Sequence, residues 1–324
     1  MEANNQNMRP IYAIRVGEEL SGKTVRAILT QVAGVSQSIL RRAKRLGGIR
    51  VNGEEVKVSA TVKTGDLLEL LDHVCPDPAI LPEPISLRIV YEDARLVVVD
   101  KPAGMLVHPA RKYRTGTVAN ALAWLYLTRS EQAGIHPVHR LDRGTSGLVL
   151  IAKDPLTHFK LAAQIASNRL KRRYLALVEG VMLADSGVFD VPLELAPGSL
   201  VVRRPAADEQ TGVPARTRFE VVERLPNRTL LKVTLDTGRT HQIRVHLASA
   251  GYPLVGDSLY GSASDDIGRQ ALHACELSFD HPGHADGWAN PCLGKHCECA
   301  IQQRVTLHSD LPGDFRTAIA ASRV

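Results

Sequence analysis

The residues His-Arg-Leu-Asp-Arg-Gly-Thr-Ser-Gly occupy positions 139–147, and the apolar run Leu-Val-Leu-Ile-Ala follows them at 148–152. The apolar run is typical of a buried strand, and the glycines indicate a turn just before it. Asp142 is therefore expected on a short loop against this strand, between Arg140 and Arg143. Neighbouring cations favour an ionised carboxyl group, and a firmly held carboxylate can act as a nucleophile. An ordinary surface ion-pair cluster would have the same residues, so the interpretation depends on the rest of the chain.

Four other segments carry recognisable patterns. They are Lys-Pro-Ala-Gly-Met-Leu-Val-His-Pro at 101–109, Lys-Arg-Arg-Tyr-Leu-Ala-Leu-Val-Glu-Gly at 171–180, Gly-Arg-Thr-His-Gln-Ile-Arg-Val-His at 238–246 and Gly-Tyr-Pro-Leu-Val-Gly-Asp-Ser-Leu-Tyr-Gly at 251–261. Together with residues 139–147, they resemble the signature motifs of the RluA-type pseudouridine synthases. The resemblance extends from about residue 14 to residue 318.

The resemblance implies roles for four residues. In this family the aspartate of the His-Arg-Leu-Asp motif, here Asp142, is the catalytic residue, and the position of Arg244 pairs with it. The position of Arg140 corresponds to a side chain that enters the vacated RNA stack, and Tyr174 would stack on the flipped uracil. From the residues alone, Arg140 could instead hold Asp142 by an ion pair. Tyr174 could be an ordinary buried strand residue, and Arg244 could belong to a merely polar helix N-terminus.

Pseudouridine formation breaks the N1–C1′ bond of uridine, turns the free base and joins C5 to C1′. A carboxylate can serve by attacking C1′ or by removing a proton from the sugar, and the sequence does not choose between these routes. Nothing is oxidised and the base itself is the leaving group, so no cofactor and no metal are expected. The roles of Lys101, His108, Arg239 and His241 stay open, and Arg172 lies where lysine is commoner in the family.

Composition favours a polyanionic partner. The 324-residue chain has a formal net charge of +6, which no single basic tail carries. Only 4% of the residues are aromatic, so we expect RNA contact through arginine and lysine rather than through rows of stacked rings. No apolar run reaches the ~18 residues of a membrane helix. Residues 1–7 are polar and lack the apolar core of a signal peptide, so we expect a cytoplasmic location. We also expect a monomer.

Five cysteines are few and odd in number for this length, which argues against a disulfide scaffold. Several potential metal ligands lie close together in one segment: His281, His284, Cys292, His296, Cys297 and Cys299. This cluster could bind zinc, but it lacks the paired Cys-x-x-Cys spacing of a zinc knuckle. We therefore predict an insertion with free thiols at 281–305, where the chain departs from the family pattern, and no metal site.

Residues 14–72 have the pattern of a separate small module. Two short amphipathic helices are predicted, followed by a hairpin in which an Asn52-Gly53 turn joins strands 49–51 and 56–58. The module resembles an S4 RNA-binding domain, which implies that a basic face of the second helix contacts RNA. The basic residues of that face are Arg41, Arg42, Lys44 and Arg45. A helix side that is simply solvated would carry the same charges.

The proline-rich residues 73–86 predict a semi-rigid linker, and residues 87–320 a larger catalytic domain. The resemblance implies an α+β fold, with the S4 module followed by a catalytic domain on a mixed, mainly antiparallel sheet with flanking helices. The implied function is isomerisation of specific uridines in structured RNA by base flipping. Large-subunit ribosomal RNA is the expected substrate, and the sequence leaves transfer RNA as an alternative substrate.

Two other classes of function are less well supported by the sequence. A non-catalytic RNA-binding factor on this scaffold would be favoured if Asp142, Tyr174 or Arg244 were absent, and all three are present. A hydrolase of glycosidic bonds ordinarily works with two carboxylates at a defined separation. Only Asp142 lies inside a specific motif here, so this class ranks last.

Overall fold

The computed structural model describes residues 8–110, 112–208, 211–283 and 304–323. These residues form a four-stranded sheet near the N-terminus and a ten-stranded sheet in the rest of the chain. Helices pack on both sheets, which is the α+β architecture expected from the sequence.

The N-terminal module consists of four strands and two short helices. Its elements are β1 (Met8–Arg15), α1 (Val25–Ala27, continued by a π-helical turn at Ile28–Val32), α2 (Gln37–Arg45), β2 (Ile49–Val51), β3 (Glu54–Glu55) and β4 (Leu67–His73). The strands are antiparallel in the order β1-β4-β2-β3. Apolar residues of both helices and of the sheet share one core, so the module has a hydrophobic core of its own.

Two details of this module differ from the sequence expectation. The second strand of the hairpin is Glu54–Glu55 rather than 56–58, because the two-residue Asn52-Gly53 turn pairs Val51 directly with Glu54. Strand β1 begins at Met8, ahead of residue 14, and pairs with β4 along its length. Its inward residues Ile11 and Tyr12 are fully buried.

The large sheet is mixed and mainly antiparallel, as predicted. Its strands are β5 (Arg88–Glu92), β6 (Leu96–Lys101), β7 (His136–Pro137), β8 (Ser146–Ala152), β9 (Lys171–Glu179), β10 (Ser186–Asp190), β13 (Arg216–Arg224), β14 (Arg228–Leu235), β15 (Leu272–Asp280) and β16 (Arg304–His308). The main path runs β10-β13-β14-β9-β15-β8-β6-β5, with β7 beside β8 and β16 beside β15. Among the strand pairs formed by the described residues, only β8–β15 is parallel. A separate hairpin comprises β11 (Leu193–Leu195) and β12 (Arg203–Pro205).

Both faces of this sheet are covered. Along β6, Val97 and Val99 belong to one buried cluster, whereas Leu96 and Val98 belong to another, as the alternation of a strand requires. The helices are α3 (Val118–Thr128), α4 (Pro155–Ala166), α5 (Gln242–Ser249) and α6 (Gly313–Ala321). Helices α3 and α5 contribute to the first cluster and α4 to the second. Of the helices in the described ranges, none combines the length and apolar character that crossing a bilayer requires.

The proline-rich segment between the two sheets lies against α3 and the core beneath it. Ile80 is buried in the core that includes α3. The Asn120 side chain donates to the carbonyl of Leu81 at 2.7 Å, and the Gly116 amide donates to Glu83 at 2.6 Å. The start of α3 therefore holds this segment in place.

Strand β8 explains why the motif at 139–147 ends in glycine. All residues of β8 are buried, which confirms the predicted buried strand. Gly147 has a φ of 109°, and a Cβ there would lie 2.3 Å from the carbonyl oxygen of Ala274. Since Gly147 pairs with Ala274 across the parallel β8–β15 junction, a side chain would separate the two strands. The glycine thus lets the Asp142 loop lie close to the centre of the sheet.

Candidate active site

A cavity of about 1180 Å³ lies where four of the sequence motifs meet. Arg140, Asp142, Tyr174 and Arg244 all line it. The structure thus brings together the four residues that the resemblance singled out in the catalytic domain. The four basic residues of α2 lie outside this cavity, in the N-terminal module.

Main-chain contacts hold the loop that carries Asp142. The carbonyl of Asp142 accepts from the Thr145 amide at 3.1 Å, which closes a tight turn. The carbonyl of Arg143 accepts from the Gly104 amide at 2.8 Å, and the Arg143 Nε donates back to the Gly104 carbonyl at 2.9 Å. The segments 101–109 and 139–147 are therefore fastened to each other.

Lys101 adds further hydrogen bonds between the segments 101–109 and 139–147. Its fully buried Nζ donates to the carbonyls of Pro102, Met105 and Arg143 at 2.9, 2.8 and 3.3 Å. Three acceptors match the three N–H bonds of an ammonium group. Burial, together with the charge of Arg269, lowers the pKa of Lys101 to about 7. The role that the sequence left open for Lys101 is thus a positioning one.

Arg244 connects Asp142 to a second, more deeply buried carboxylate. Its Nη1 donates to Asp142 Oδ2 at 3.2 Å, while Nε and Nη2 donate to the two oxygens of Asp257 at 2.7 and 2.8 Å. Burial would lower the pKa of Arg244, but the hydrogen bonds and charges of Asp257 and Asp142 raise it. Asp257 also accepts from the amides of Leu259 and Tyr260. The guanidinium is therefore fixed in orientation, with one edge left for Asp142.

His241 also faces Asp142, in a conformation the sequence did not predict. Helix α5 begins at Gln242, so His241 precedes it as the N-cap with a φ of 59° instead of lying inside the helix. The Tyr260 hydroxyl accepts from the Arg203 amide at 2.8 Å and lies 2.8 Å from His241 Nδ1. The hydroxyl hydrogen is free to donate to Nδ1, which leaves the imidazole proton on Nε2. This Nε2 lies 3.9 Å from Asp142 Oδ2.

Burial lowers the pKa of His241, although the charge of Asp142 acts in the opposite direction. A neutral imidazole can accept from the Tyr260 hydroxyl, whereas a protonated ring would instead donate to the hydroxyl oxygen. The left-handed backbone of a non-glycine residue at this position is a local strain of the kind that collects at functional sites.

The comparisons with known proteins identify the family of this chain. The family model for RNA pseudouridylate synthase matches residues 95–249. The RNA pseudouridine synthase YjbO of Bacillus subtilis is 37% identical over 88% of this chain and 95% of its own length. The ribosomal large subunit pseudouridine synthase D of Pseudomonas aeruginosa is 38% identical over 86% of this chain and 91% of its own. This chain is an RNA pseudouridine synthase of the RluA type.

The fold of the synthase is also found among solved structures. The human RNA pseudouridylate synthase domain containing 4 superposes with a TM-score of 0.56 at 21% identity. The alignment covers 73% of the synthase and 93% of the human chain. At this level of identity the similarity is one of fold alone.

Tyr174 and Arg172 form the wall of the synthase's cavity on the side of β9. Both are buried, and alternation along the strand places them on the same face. Burial raises the pKa of Tyr174, while the charges of Arg172 and Asp142 act on it in opposite directions. Tyr174, Arg172 and Asp142 therefore lie close enough to interact electrostatically within the cavity.

The two arginines beside Asp142 have different surroundings. Arg143 lies over the ring of Tyr113, 4.9 Å from its centroid. The exposed side chain of Arg140 has no hydrogen bond or ion pair with any residue that the structure describes. Asp142 is paired with Arg244 instead, so Arg140 does not hold Asp142 by an ion pair.

The basic face of α2 is exposed, as the sequence indicated, but its members are not equivalent. Arg42 donates to Asp72 at 2.9 Å and to the carbonyl of His73 at 3.3 Å. Within the described residues, Arg41, Lys44 and Arg45 have no such partner. The three unpaired side chains are free to meet a polyanion, while Arg42 fastens α2 to β4.

The segment 281–305 is only partly described. His281 donates from Nε2 to the Asp93 carboxylate at 2.7 Å, whereas Cys292, Cys297 and Cys299 lie outside the described residues. In the ranges that the structure covers, no group of three or more His, Cys, Asp or Glu side chains is placed to bind a metal ion.

Asp257 and Tyr260 lie in the motif at 251–261, to which the sequence analysis gave no chemical role. The structure places them directly behind Arg244 and His241, so they orient both groups that face Asp142. The signal that could have found them is the Gly-Asp-x-x-Tyr-Gly pattern itself, in which a carboxylate and a hydroxyl recur at fixed spacing.

Proposed function

We propose that this synthase isomerises a uridine of large-subunit ribosomal RNA, with Asp142 as its catalytic carboxylate. The substrate assignment is supported by relatives whose names specify the ribosomal large subunit, including one from Nitrosomonas europaea that is 45% identical over 64% of this chain and 63% of its own. The catalytic assignment depends on the 3.2 Å contact between Arg244 and Asp142 in a cavity that also contains Tyr174.

The contacts of Asp142 favour one oxygen as the reacting atom. Oδ2 accepts from Arg244 and faces His241, whereas Oδ1 accepts no hydrogen bond from the residues described. Oδ1 is therefore available either to bond to C1′ of the ribose or to take a proton from the sugar. In both routes the N1–C1′ electron pair leaves with the uracil. As the C5–C1′ bond forms, either the Oδ1–C1′ bond breaks and frees the carboxylate, or the sugar carbon takes back the proton that Asp142 had removed. C5 then loses its proton and N1 gains one.

Arg140 and Tyr174 are suited to the extrusion of the target base. The unpaired, exposed guanidinium of Arg140 is free to enter the gap in the RNA stack, and the ring of Tyr174 would receive the uracil. Unstacking costs a few kcal/mol, on the order of the gain from one or two good aromatic and cationic contacts.

We further propose that residues 14–72 act as an S4-like RNA-binding domain, residues 73–86 as a linker and residues 87–320 as the catalytic domain. The core of the N-terminal module, to which the larger domain contributes Leu156, and the exposed basic face of α2 support this division. The monomeric state and the cytoplasmic location expected from the sequence stay predictions, as does the insertion at 281–305.

Substitution of Asp142 by asparagine tests the catalytic role. We expect Asp142→Asn to lower pseudouridine formation at least about 1000-fold, because the amide is a poor nucleophile and base. Binding of the RNA should stay nearly unchanged. Asp185→Asn is the matched control, since Asp185 is an exposed carboxylate that also pairs with an arginine. Normal product from purified Asp142→Asn would refute the catalytic assignment.

Mapping of pseudouridine in all RNA from cells with and without the gene tests the substrate. We expect the lost modification to lie in large-subunit ribosomal RNA. A loss confined to transfer RNA would refute this substrate and leave the role of Asp142 intact.

A further inference from the structure

Arg172 is a buried cation for which the described part of the chain provides no counter-ion. Its side chain on β9 is only 6% exposed as a residue, and its buried Nε has no hydrogen-bond partner. No described carboxylate lies within ion-pair distance of it. Other buried arginines of this chain are paired: Arg244 with Asp257, and Arg95 with Asp154. An unpaired buried charge is unfavourable, so Arg172 is expected to have a partner that arrives from outside.

The position of Arg172 indicates where that partner would bind. Arg172 lines the same cavity as Asp142 and lies two residues before Tyr174 on one face of β9. A Cβ at Gly238 would lie 2.6 Å from Arg172 Nη1, so glycine at this position leaves the guanidinium room beneath the 238–246 segment. The site is thus built to hold a cation beside the surface on which the uracil is proposed to stack.

The reaction itself generates an anion at this place. When the N1–C1′ bond breaks, both bonding electrons go to the base, which becomes a uracil anion with its charge spread over N1 and the carbonyl oxygens. This holds whether Asp142 attacks C1′ or removes a sugar proton. The charge disappears again when C5 has bonded to C1′, the C5 proton has left and N1 has taken up a proton.

We propose that the guanidinium of Arg172 stabilises the uracil anion released during catalysis. The inference rests on the proposed role of Asp142, which generates that anion. A preorganised cation in a site of low polarity stabilises developing charge far more than water does. Guanidinium stays protonated even when buried, so it keeps its charge throughout the cycle. Because the anion is absent from the bound ground state, Arg172 acts on the chemical step rather than on RNA affinity.

Arg172→Ala, Arg172→Lys and Arg173→Ala separate this role from a structural one. Single-turnover pseudouridine formation is measured with total RNA from cells that lack the gene. We expect Arg172→Ala to lower the rate at least about 100-fold while the Kd for the RNA changes less than about threefold. Arg172→Lys retains a charge and should recover part of the rate. Arg173→Ala is the matched control, because Arg173 is the next residue of β9, points to the other face and pairs with Glu276.

Chemical rescue gives a readout that a purely structural role would not produce. Millimolar methylguanidinium should restore part of the activity of Arg172→Ala, whereas urea at the same concentration should not. If Arg172→Ala does not fold, as judged by its thermal transition, Arg172→Lys is compared with the wild type instead. We then expect a reduced but measurable rate with unchanged RNA affinity.

Three results would overturn the proposal. They are an Arg172→Ala rate within threefold of the wild type, a loss of RNA affinity as large as the loss of rate, or an Arg172→Lys variant that folds and binds RNA but is no faster than Arg172→Ala. These results leave the proposed function standing as long as Asp142→Asn is inactive. If Asp142→Asn makes product normally, the proposed function itself fails.

Discussion

At the scale of single residues, the geometry of the site depends on how Arg244 distributes its N–H donors between two carboxylates. Arg244 donates from Nε and Nη2, which form one edge of the guanidinium, to Asp257 and from Nη1 to Asp142. Only a planar guanidinium can make a bidentate contact and still reach a second carboxylate in a fixed direction. Asp257, which is 1% exposed, therefore sets the direction of the charge that faces Asp142.

Asp257→Asn should lower both activity and stability. The amide accepts only one of the two bonds from Arg244, so the guanidinium loses its orientation and part of its buried counter-charge. We expect the free energy of unfolding to fall by about 3 kcal/mol and kcat to fall more than the RNA affinity. Urea unfolding and single-turnover kinetics measure these changes. Glu223→Gln removes one partner of an exposed bidentate pair with Arg323 and should leave both quantities nearly unchanged. Equal effects of the two substitutions would contradict this prediction.

At the scale of elements, α2 illustrates what a sequence pattern can and cannot show. The apolar spacing predicts that Ile39, Leu40, Ala43 and Leu46 face inward; the first three are buried and Leu46, at the end of the helix, is half-buried. The basic residues are all exposed, yet the pairing of Arg42 with Asp72 could not be read from the sequence. Thirty positions separate these two residues, so only the packing of α2 on β4 brings them together.

The triple substitution Arg41→Gln, Lys44→Gln and Arg45→Gln should weaken RNA binding. Each lost phosphate contact removes the release of about one counterion. We therefore expect the slope of log K against log salt to decrease in magnitude by about 2. The control changes Lys23, Lys57 and Lys63 to glutamine, since these exposed lysines belong to the same module and the net charge falls equally. Identical salt slopes for the two triple variants would count against RNA contact by α2.

At the scale of the whole molecule, the module and the catalytic domain are docked. Leu156 of α4 is fully buried in the core of the N-terminal module. Arg9 of β1 donates to the carbonyl of Lys153 at 3.2 Å, and Arg95 donates to the carbonyl of Pro10 at 3.4 Å. These contacts hold α2 and the cavity in a defined relation, so that one folded RNA can meet both.

The stability of the synthase should decrease in mild acid. His139 is buried and accepts from the Leu150 amide at 3.3 Å. Burial and the charge of Arg172 lower its pKa to about 3. The unfolded chain takes up the proton near pH 6.5. Between these values the unfolded state binds more protons, so the free energy of unfolding falls as the pH falls.

His139→Gln keeps an acceptor for Leu150 but does not titrate. From pH 7 to pH 5 the wild type should lose about 2 kcal/mol more stability than this variant. Urea unfolding at the two pH values measures the difference. Parallel losses in both proteins would show that His139 is not kept neutral by the fold.

The sequence by itself determined the family, through its motifs, and the buried strand after Asp142, through its apolar run, because both are local properties of the chain. The mixed sheet and the choice of Arg140, Asp142, Tyr174 and Arg244 followed from the resemblance to the family. Only the tertiary structure decided which donor faces which acceptor. Asp142 and Arg244 are 102 positions apart, His241 depends on Tyr260 and on the backbone of Arg203, and Arg172 has no partner among the described residues. Such contacts arise from the way strands and loops pack, and no local pattern encodes them.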